Sequence, residues 1–415
     1  MSREFDVVVY GATGFVGELT ARYLAEKAPD GTRIALAGRS ETKLAATRRR
    51  LPERAASWPL VIADAQSPAS LDALCARTRV VCTTVGPYLR YGENLVVAAA
   101  SAGTDYVDLT GEVPFVHFSI AKADETARAT GARIVHSCGF DSVPSDLGAF
   151  VLYQAVTEAD AGELTDTTMV LTSMRGGLSG GTIDSMRVIA EQAKDAGTRQ
   201  LLLNPQALSG SPGETPSAEM RSEPSDIAPV DAKKVDPSLR GTLAPFFMSS
   251  YNTRVVRRSN ALLDGAYGAG FRYQEAMAVG SVPGLSTVLA GLVSVGTGAF
   301  LGAMSFRPTR SLLDRVLPKP GQGPSEQSRN AGHFVTQTFT RTSTGRRFRS
   351  QMRASGDPGY KATAVMLGES ALALALDRDR LPEHSGVLTP AVGIGEVLVD
   401  RLRTAGFVIE AHELH

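Results

Sequence analysis

FDVVVYGATGFVGELTARYL, residues 5–24, is the stretch on which the fold turns. Phe5 to Tyr10 is a short apolar run rich in β-branched residues, the pattern of a parallel strand buried on both faces. It stops at Gly11, and Gly14 and Gly17 follow at three-residue spacing before an amphipathic helical pattern in which Leu19, Tyr23 and Leu24 share a face. Strand, glycine turn and helix in this order predict a phosphate-binding turn made by Gly11, Ala12, Thr13, Gly14, Phe15, Val16 and Gly17. Gly11 and Gly14 let the backbone approach a pyrophosphate, and Gly17 lets the helix sit close to the strand. The phosphates would rest on the unpaired amides of the helix N-terminus. Glycines at this spacing are common by chance; the flanking strand and helix make the signal specific.

Working outward, the βα pattern repeats. Ile34–Ala37 reads as a second strand, followed by Gly38, Arg39 and Ser40 where an NAD-binding unit usually carries an acid for the ribose 2′-hydroxyl. An arginine there can pair with a 2′-phosphate, so the sequence favours NADPH; the alternative is an exposed arginine that merely opens the next helix. Leu60–Ala63 is a third strand with Asp64 at its end. Val80–Thr83 leads into TVGPY, where Val85, Gly86 and Pro87 would border the cofactor and Tyr88 would point to the crevice. Tyr106–Leu109 precedes Thr110, Gly111 and Glu112, and Ile134–His136 precedes SCGFDSVPSD, which contains Gly139. Six strands with intervening helices predict an α/β, doubly wound (Rossmann) parallel sheet, whose ligands bind beyond the carboxyl ends of the strands.

With 415 residues the chain exceeds one ordinary core, so more than one domain is expected. Lys+Arg 43 against Asp+Glu 43 argues against a nucleic-acid binder held by phosphate neutralisation. Cys75, Cys82 and Cys138 have no metal-ligand spacing, the histidines show none either, and no metal is expected. The opening MSREFD is not a secretory signal. A reduced, cytoplasmic setting is therefore expected.

The second half reads as an α+β domain. Thr167–Arg175 is a strand, and GGLSGGTID enters a helix from about Ile183 to Leu203. Residues 204–245 carry seven prolines and little hydrophobic periodicity, as a loop or insert does. HFVTQTFTRT, STG and RRFRSQMRAS read as an antiparallel hairpin. Tyr360–Leu376 and Pro390 to about Ala405 read as helices. The expected division is a dinucleotide-binding domain over 1–146, a second domain over 147–355, and C-terminal helices over 356–415 packing back on the first. From Ala276 to Phe306 there is no charge, with Pro283 and GxxxG spacings at Gly280/Gly284 and Gly298/Gly302. Three readings stay open for it: a membrane span, a lipid-facing or interfacial lid that would put the protein at the inner face of the plasma membrane, and ordinary burial.

GATGFVG, AGRS, TTVGPY, GTDYVDLTGE and CGFDSVPSD, in this order and spacing, resemble the saccharopine dehydrogenase-like oxidoreductases, and among them the mycobacterial trans-acting enoyl reductases. The resemblance continues through NTRVVRRSNAL, LPKPGQGPS and PGYKATAVMLGESALALALD. It implies a reductase acting in trans on an acyl substrate carried by a polyketide synthase, in lipid synthesis of the phthiocerol and phenolphthiocerol type. A homodimer is open.

Reducing an enoyl group requires a hydride at the β-carbon, stabilisation of charge on the thioester oxygen and a proton at the α-carbon. Tyr88, Asp141, Ser142, Asp146 and Tyr360 are the candidate catalytic groups. Each has a plainer reading: capping and first-turn charge for the aspartates around SVPSDLG, packing for the tyrosines. Cys138 with His136 two residues earlier is not a nucleophilic dyad. The arginines of RVVRR and RRFRSQMR read as solvated faces. Two function classes follow: an NADPH-dependent enoyl reductase, or a nucleotide-binding, lipid-associated adaptor without turnover.

Overall fold

The computed structural model describes residues 3–177, 180–210, 223–280, 285–305 and 323–414. Its first sheet holds β1 (Phe5–Tyr10), β2 (Ile34–Gly38), β3 (Leu60–Ile62), β4 (Thr78–Thr83), β5 (Asp105–Val107) and β6 (Arg133–Val135). All pair in parallel, in the order β3-β2-β1-β4-β5-β6. The chain leaves β1 in one direction for β2 and β3 and returns to its other edge at β4, so the strand order reverses beside β1. Every residue of β1 is buried. Val7 and Val9 face one core, with Leu24, Leu367 and Leu374, while Phe5, Val8 and Tyr10 face the other, with Leu71, Leu95 and Val96. Two covered faces explain why this strand reads as a continuous apolar run.

The second sheet is mixed. It holds β7 (Leu164–Arg175), β8 (Val230–Asp231), β9 (Thr242–Pro245), β10 (Arg272–Ala278), β11 (His333–Thr342) and β12 (Arg347–Ser355). β10 runs parallel to β7, and β11 and β12 form the expected antiparallel hairpin. The helix Val143–Glu158 leaves the first sheet and packs on the second, where a Cβ at Gly148 would lie 2.9 Å from Thr338 Oγ1.

The C-terminal stretch adds to both sheets in a way its sequence does not announce. β13 (Gly386–Leu388) pairs with β6 as a seventh parallel strand, and β14 (Val408–Leu414) pairs with β12. The helix Thr363–Leu376 begins one wide turn later than expected, after Pro358–Ala362. It packs on the helix Phe15–Lys27, where the Tyr23 hydroxyl donates to Glu369 Oε1 at 2.5 Å. The helix expected from Pro390 is broken into Pro390–Gly393 and Glu396–Thr404 by Gly395, whose φ of +60 takes it out of the helical region. The helix expected over 183–203 is likewise two, Gly180–Gln192 and Ala196–Leu203, the second capped by Asp195, which accepts from Thr198 N at 2.8 Å.

The RVVRR arginines do not form a solvated face. Arg254, Arg257 and Arg258 are buried on the helix Ser249–Leu262. Arg254 pairs with Asp226, Arg257 pairs with Glu223 at 2.9 Å, and Arg258 donates to Leu208 O at 2.6 Å. The proline-rich insert supplies those acceptors, and tying it down is what draws three cations inward. Residues 211–222 of that insert lie outside the described residues. Of the uncharged stretch, 276–278 end β10 and Leu285–Ser305 form a helix; Pro283, Gly284 and Phe306 are outside the described residues. Among the described residues no helix is long and apolar enough to cross a membrane.

Candidate functional site

The glycine turn closes on itself as its spacing requires. Gly11 has φ +88, and a Cβ there would lie 2.7 Å from Val85 Cγ2. A Cβ on Gly17 would lie 2.2 Å from the Gly11 carbonyl oxygen and 2.8 Å from Thr84 Oγ1. The helix Phe15–Lys27 has Gly14 at its N-cap and no side-chain cap, which leaves its first amides unpaired by any side chain. Gly11 N and Ala12 N are held by Ala37 O at 2.9 and 3.4 Å, which fixes the turn to the end of β2. A cradle with no room for a Cβ at Gly11 or Gly17 and its helix amides uncapped fits a pyrophosphate.

Arg39 is exposed at the end of β2, with no hydrogen-bond or ion-pair partner for its guanidinium among the described residues, and Ser40 caps the next helix by accepting from Lys43 N. Asp64 is half-buried after β3, where Oδ1 accepts from Gln66 N at 3.0 Å. Thr13 is exposed on the turn's outer side.

In front of the turn lies a cavity of about 1080 Å³. Gly14, Phe15, Val16 and Gly17 line one end, and Gly86, Pro87, Tyr88, Thr110, Gly139, Asp141 and Ser142 line it from the ends of β4, β5 and β6. The middle of the chain supplies an apolar wall: Met186 and Ile189 from the helix Gly180–Gln192, then Phe246, Phe247 and Met248, then Val293 and Val295 of the uncharged helix. That volume lies at the upper end of ordinary ligand sites and suits a dinucleotide with an apolar substrate. Gly11, Ala12, Arg39, Ser40, Asp64 and Val85 stand behind or beyond the lining.

The five candidate catalytic residues are not all brought together. Tyr88 is buried; its hydroxyl donates to Thr83 O at 3.3 Å and accepts from Leu109 N at 3.1 Å, and its ring stacks on Phe115. Burial pushes its phenol well above the ordinary range. Asp141 lines the cavity and accepts from Thr182 Oγ1 at 3.3 Å; burial pushes its carboxyl up to about 6, against that hydrogen bond. Ser142 lines it too, donating to Asn252 Oδ1 at 2.9 Å. Tyr360 meets Phe15 edge-on at 5.1 Å, and its hydroxyl accepts from Gly180 N at 3.3 Å. Asp146 is away from the lining, fully buried, holding Ser259 and accepting from Ala391 N at 2.8 Å.

Several polar groups on the lining were not singled out from sequence, Ser137 and Tyr251 among them. Ser137 Oγ and Tyr251 OH lie 2.5 Å apart, one at the end of β6 and the other on the helix Ser249–Leu262. Their partnership spans 114 residues, and nothing local in NTRVVRRSNAL marks its neighbour Tyr251. Glu112, buried beside them, accepts from Tyr88 N at 2.9 Å and Leu89 N at 2.8 Å and so fixes the loop after β4.

No protein-family model matches the sequence. Curated relatives do. A protein of Mycobacterium tuberculosis provisionally named a trans-acting enoyl reductase is 51% identical, with 99% of this chain and 98% of that one covered. A trans-acting enoyl reductase of Mycobacterium bovis is 46% identical over 98% of this chain and 97% of its own, and one of Mycobacterium ulcerans is 45% identical over 100% and 99%. Among solved structures, apo saccharopine dehydrogenase (L-Glu forming) from Saccharomyces cerevisiae matches with a TM-score of 0.56 at 14% identity, covering 99% of both chains.

Proposed function

The chain belongs to the trans-acting enoyl reductases, built on a saccharopine dehydrogenase-like fold, and from that premise we propose that it is an NADPH-dependent reductase of α,β-unsaturated acyl thioesters. The observation that carries the reading is the continuity of one cavity from a phosphate-fitting glycine turn to an apolar wall. A dinucleotide laid across the strand-order reversal has its adenine half by β1–β3 and its nicotinamide half by β4–β6. When bound, the reduced nicotinamide supplies the hydride. The helix amides at Phe15–Gly17 hold the phosphates, and Arg39 meets the 2′-phosphate with a charged hydrogen bond. The loops after β4, β5 and β6 set the enoyl end of the substrate, while Met186, Ile189, Phe246 and Val293 exclude water from the chain that follows.

The substrate is an acyl chain on a carrier of a polyketide synthase, in the synthesis of phthiocerol-type lipids, as the family resemblance suggests. One further observation favours a lipid-side role. Leu285, Val288, Leu289, Leu292 and Val295 of the uncharged helix are exposed, while Ser286 and Ala290 of the same helix are buried and Val293 lines the cavity. An exposed apolar stripe on a helix bordering the cavity suits contact with lipid or with the emerging chain.

The test is consumption of NADPH with CoA- and carrier-bound enoyl substrates of increasing length. Turnover that rises with chain length is expected. Tight NADPH binding without turnover on any of them would replace the enzyme by a lipid-associated adaptor.

A further inference from the structure

Ser137 is one of the non-glycine residues held at positive φ, at +66, and it lies on the cavity directly after β6. Such a backbone persists where its surroundings over-determine it, and such positions cluster at functional sites. Here the determinant is Asp108, fully buried. Its Oδ1 accepts from Ser137 N at 2.8 Å and from Thr110 N at 3.1 Å, and its Oδ2 accepts from Tyr106 OH at 2.9 Å and pairs with His136 Nδ1 at 2.7 Å. A carboxylate on Oδ2 fixes the imidazole with its proton on Nδ1. One buried carboxyl group thus locks the loops after β5 and β6 together and aims the Ser137 hydroxyl at Tyr251 OH.

Resting on the reductase reading, we propose that Tyr251 is the proton donor of the reaction and that Ser137 positions it. Tyr251 has the hydrogen-bonding capacity the task needs, since Ser137 is its hydroxyl's one partner among the described residues. The Tyr88 hydroxyl is occupied by two backbone groups, whereas Tyr251 meets Ser137, itself a cavity-lining hydroxyl that can turn to donate or accept. The Tyr251 helix is also held by the neighbouring Asn252, which accepts from Ser142 and donates to Glu275 Oε2 at 3.0 Å. Burial raises the phenol well above its ordinary range, and the charges of Asp108, Glu112 and Asp141 add to this against the Ser137 hydrogen bond, so the donor rests protonated.

In the step, the hydride forms a C–H bond at the β-carbon, and the alkene π pair moves toward the α-carbon and the thioester oxygen. The α-carbon then takes the Tyr251 proton as the O–H bond breaks. The Ser137 hydroxyl donates to the tyrosinate left behind, and solvent returns the proton. NADPH is oxidised by two electrons and the enoyl thioester is reduced to the saturated one, so atoms and charge balance.

Tyr251→Phe keeps the ring and removes the proton. With NADPH binding retained, its kcat is expected to fall by about 100-fold or more at unchanged KM. The unmodified protein should convert an α-methyl enoyl thioester to one configuration at the α-carbon, and the variant should give a mixture, because water now protonates either face. A structural role would not produce the mixture. Ser137→Ala gives a second reading should Tyr251→Phe fail to bind NADPH: about a tenfold loss in kcat, KM unchanged. Tyr251→Phe turnover within about threefold of the unmodified protein, with one configuration kept, overturns the assignment and moves it to Asp141; so does a Ser137→Ala kcat that does not change. An unmodified protein that binds NADPH and reduces no enoyl thioester overturns the reductase reading, and this assignment with it.

Discussion

Arg39 stands exposed where a 2′-phosphate would meet it, so Arg39→Glu should remove most of a preference for NADPH over NADH, by about 1–3 kcal/mol in relative binding free energy. Titration of both cofactors measures it, and equal affinities in the unmodified protein would remove the basis for the reading. Gly17 makes a steric prediction. A methyl group there would press on the Gly11 carbonyl at 2.2 Å, so Gly17→Ala should cost about 1–3 kcal/mol of stability and weaken dinucleotide binding, read by denaturant unfolding and cofactor titration. Asp146 makes one about pH. Its carboxyl, buried and fully enclosed, is pushed from 3.8 up to about 6, with hydrogen bonds from Ser259, Ala391 and Thr389 opposing. The folded protein therefore holds this proton more tightly than the unfolded chain. The stabilising contribution is complete below about pH 4 and is lost as pH rises through about 6, on the order of 3 kcal/mol in all. Asp146→Asn should flatten that part of the stability curve between about pH 4 and pH 6 in denaturant unfolding; an unchanged slope would contradict it. Gly17 was legible in sequence because its close packing is set by the turn it sits on. Ser137 and Tyr251 were not, because their pairing joins segments 114 residues apart.

At the scale of elements, the uncharged helix and the arginine helix behave oppositely to their composition. Leu289 and Leu292 are exposed despite being apolar. Replacing both with Gln should leave unfolding within about 0.5 kcal/mol of the unmodified protein while lowering liposome partition and the long-to-short substrate activity ratio. Unchanged partition and ratio in a folded variant would reduce the stripe to surface packing. Arg257 is buried despite being charged, between Glu223, Tyr273 O and Pro205 O. Arg257→Ala strands a mostly buried carboxylate and should cost about 3–5 kcal/mol in denaturant unfolding. Charge alone suggested a solvated face; only the insert folding over the helix reverses it. The short strands explain another gap. β13 is three residues long and β14, VIEAHEL, alternates with polar residues at a sheet edge, so each is specified by the neighbour it pairs with rather than by its own pattern.

Across the whole molecule, the parallel sheet was readable because strands covered on both faces leave unbroken apolar runs ending in glycine loops, and the hairpin of the second sheet because its alternation matches one covered face. The return of the C-terminus to both sheets was not readable, since it depends on β6 and β12 each offering a free edge. That return matters for the site. Tyr360 and Thr363 line the cavity where the helix that packs on Phe15–Lys27 begins, so the chain's end helps close the space its beginning opens. On the proposed reading, this space holds NADPH against an enoyl thioester and passes a hydride directly between them. NADPH deuterated on the transferred face of nicotinamide C4, incubated with the protein and a long-chain enoyl thioester, should place one deuterium on the β-carbon of the saturated product, read by mass spectrometry; bound but unconsumed NADPH, or a product without label, would contradict it.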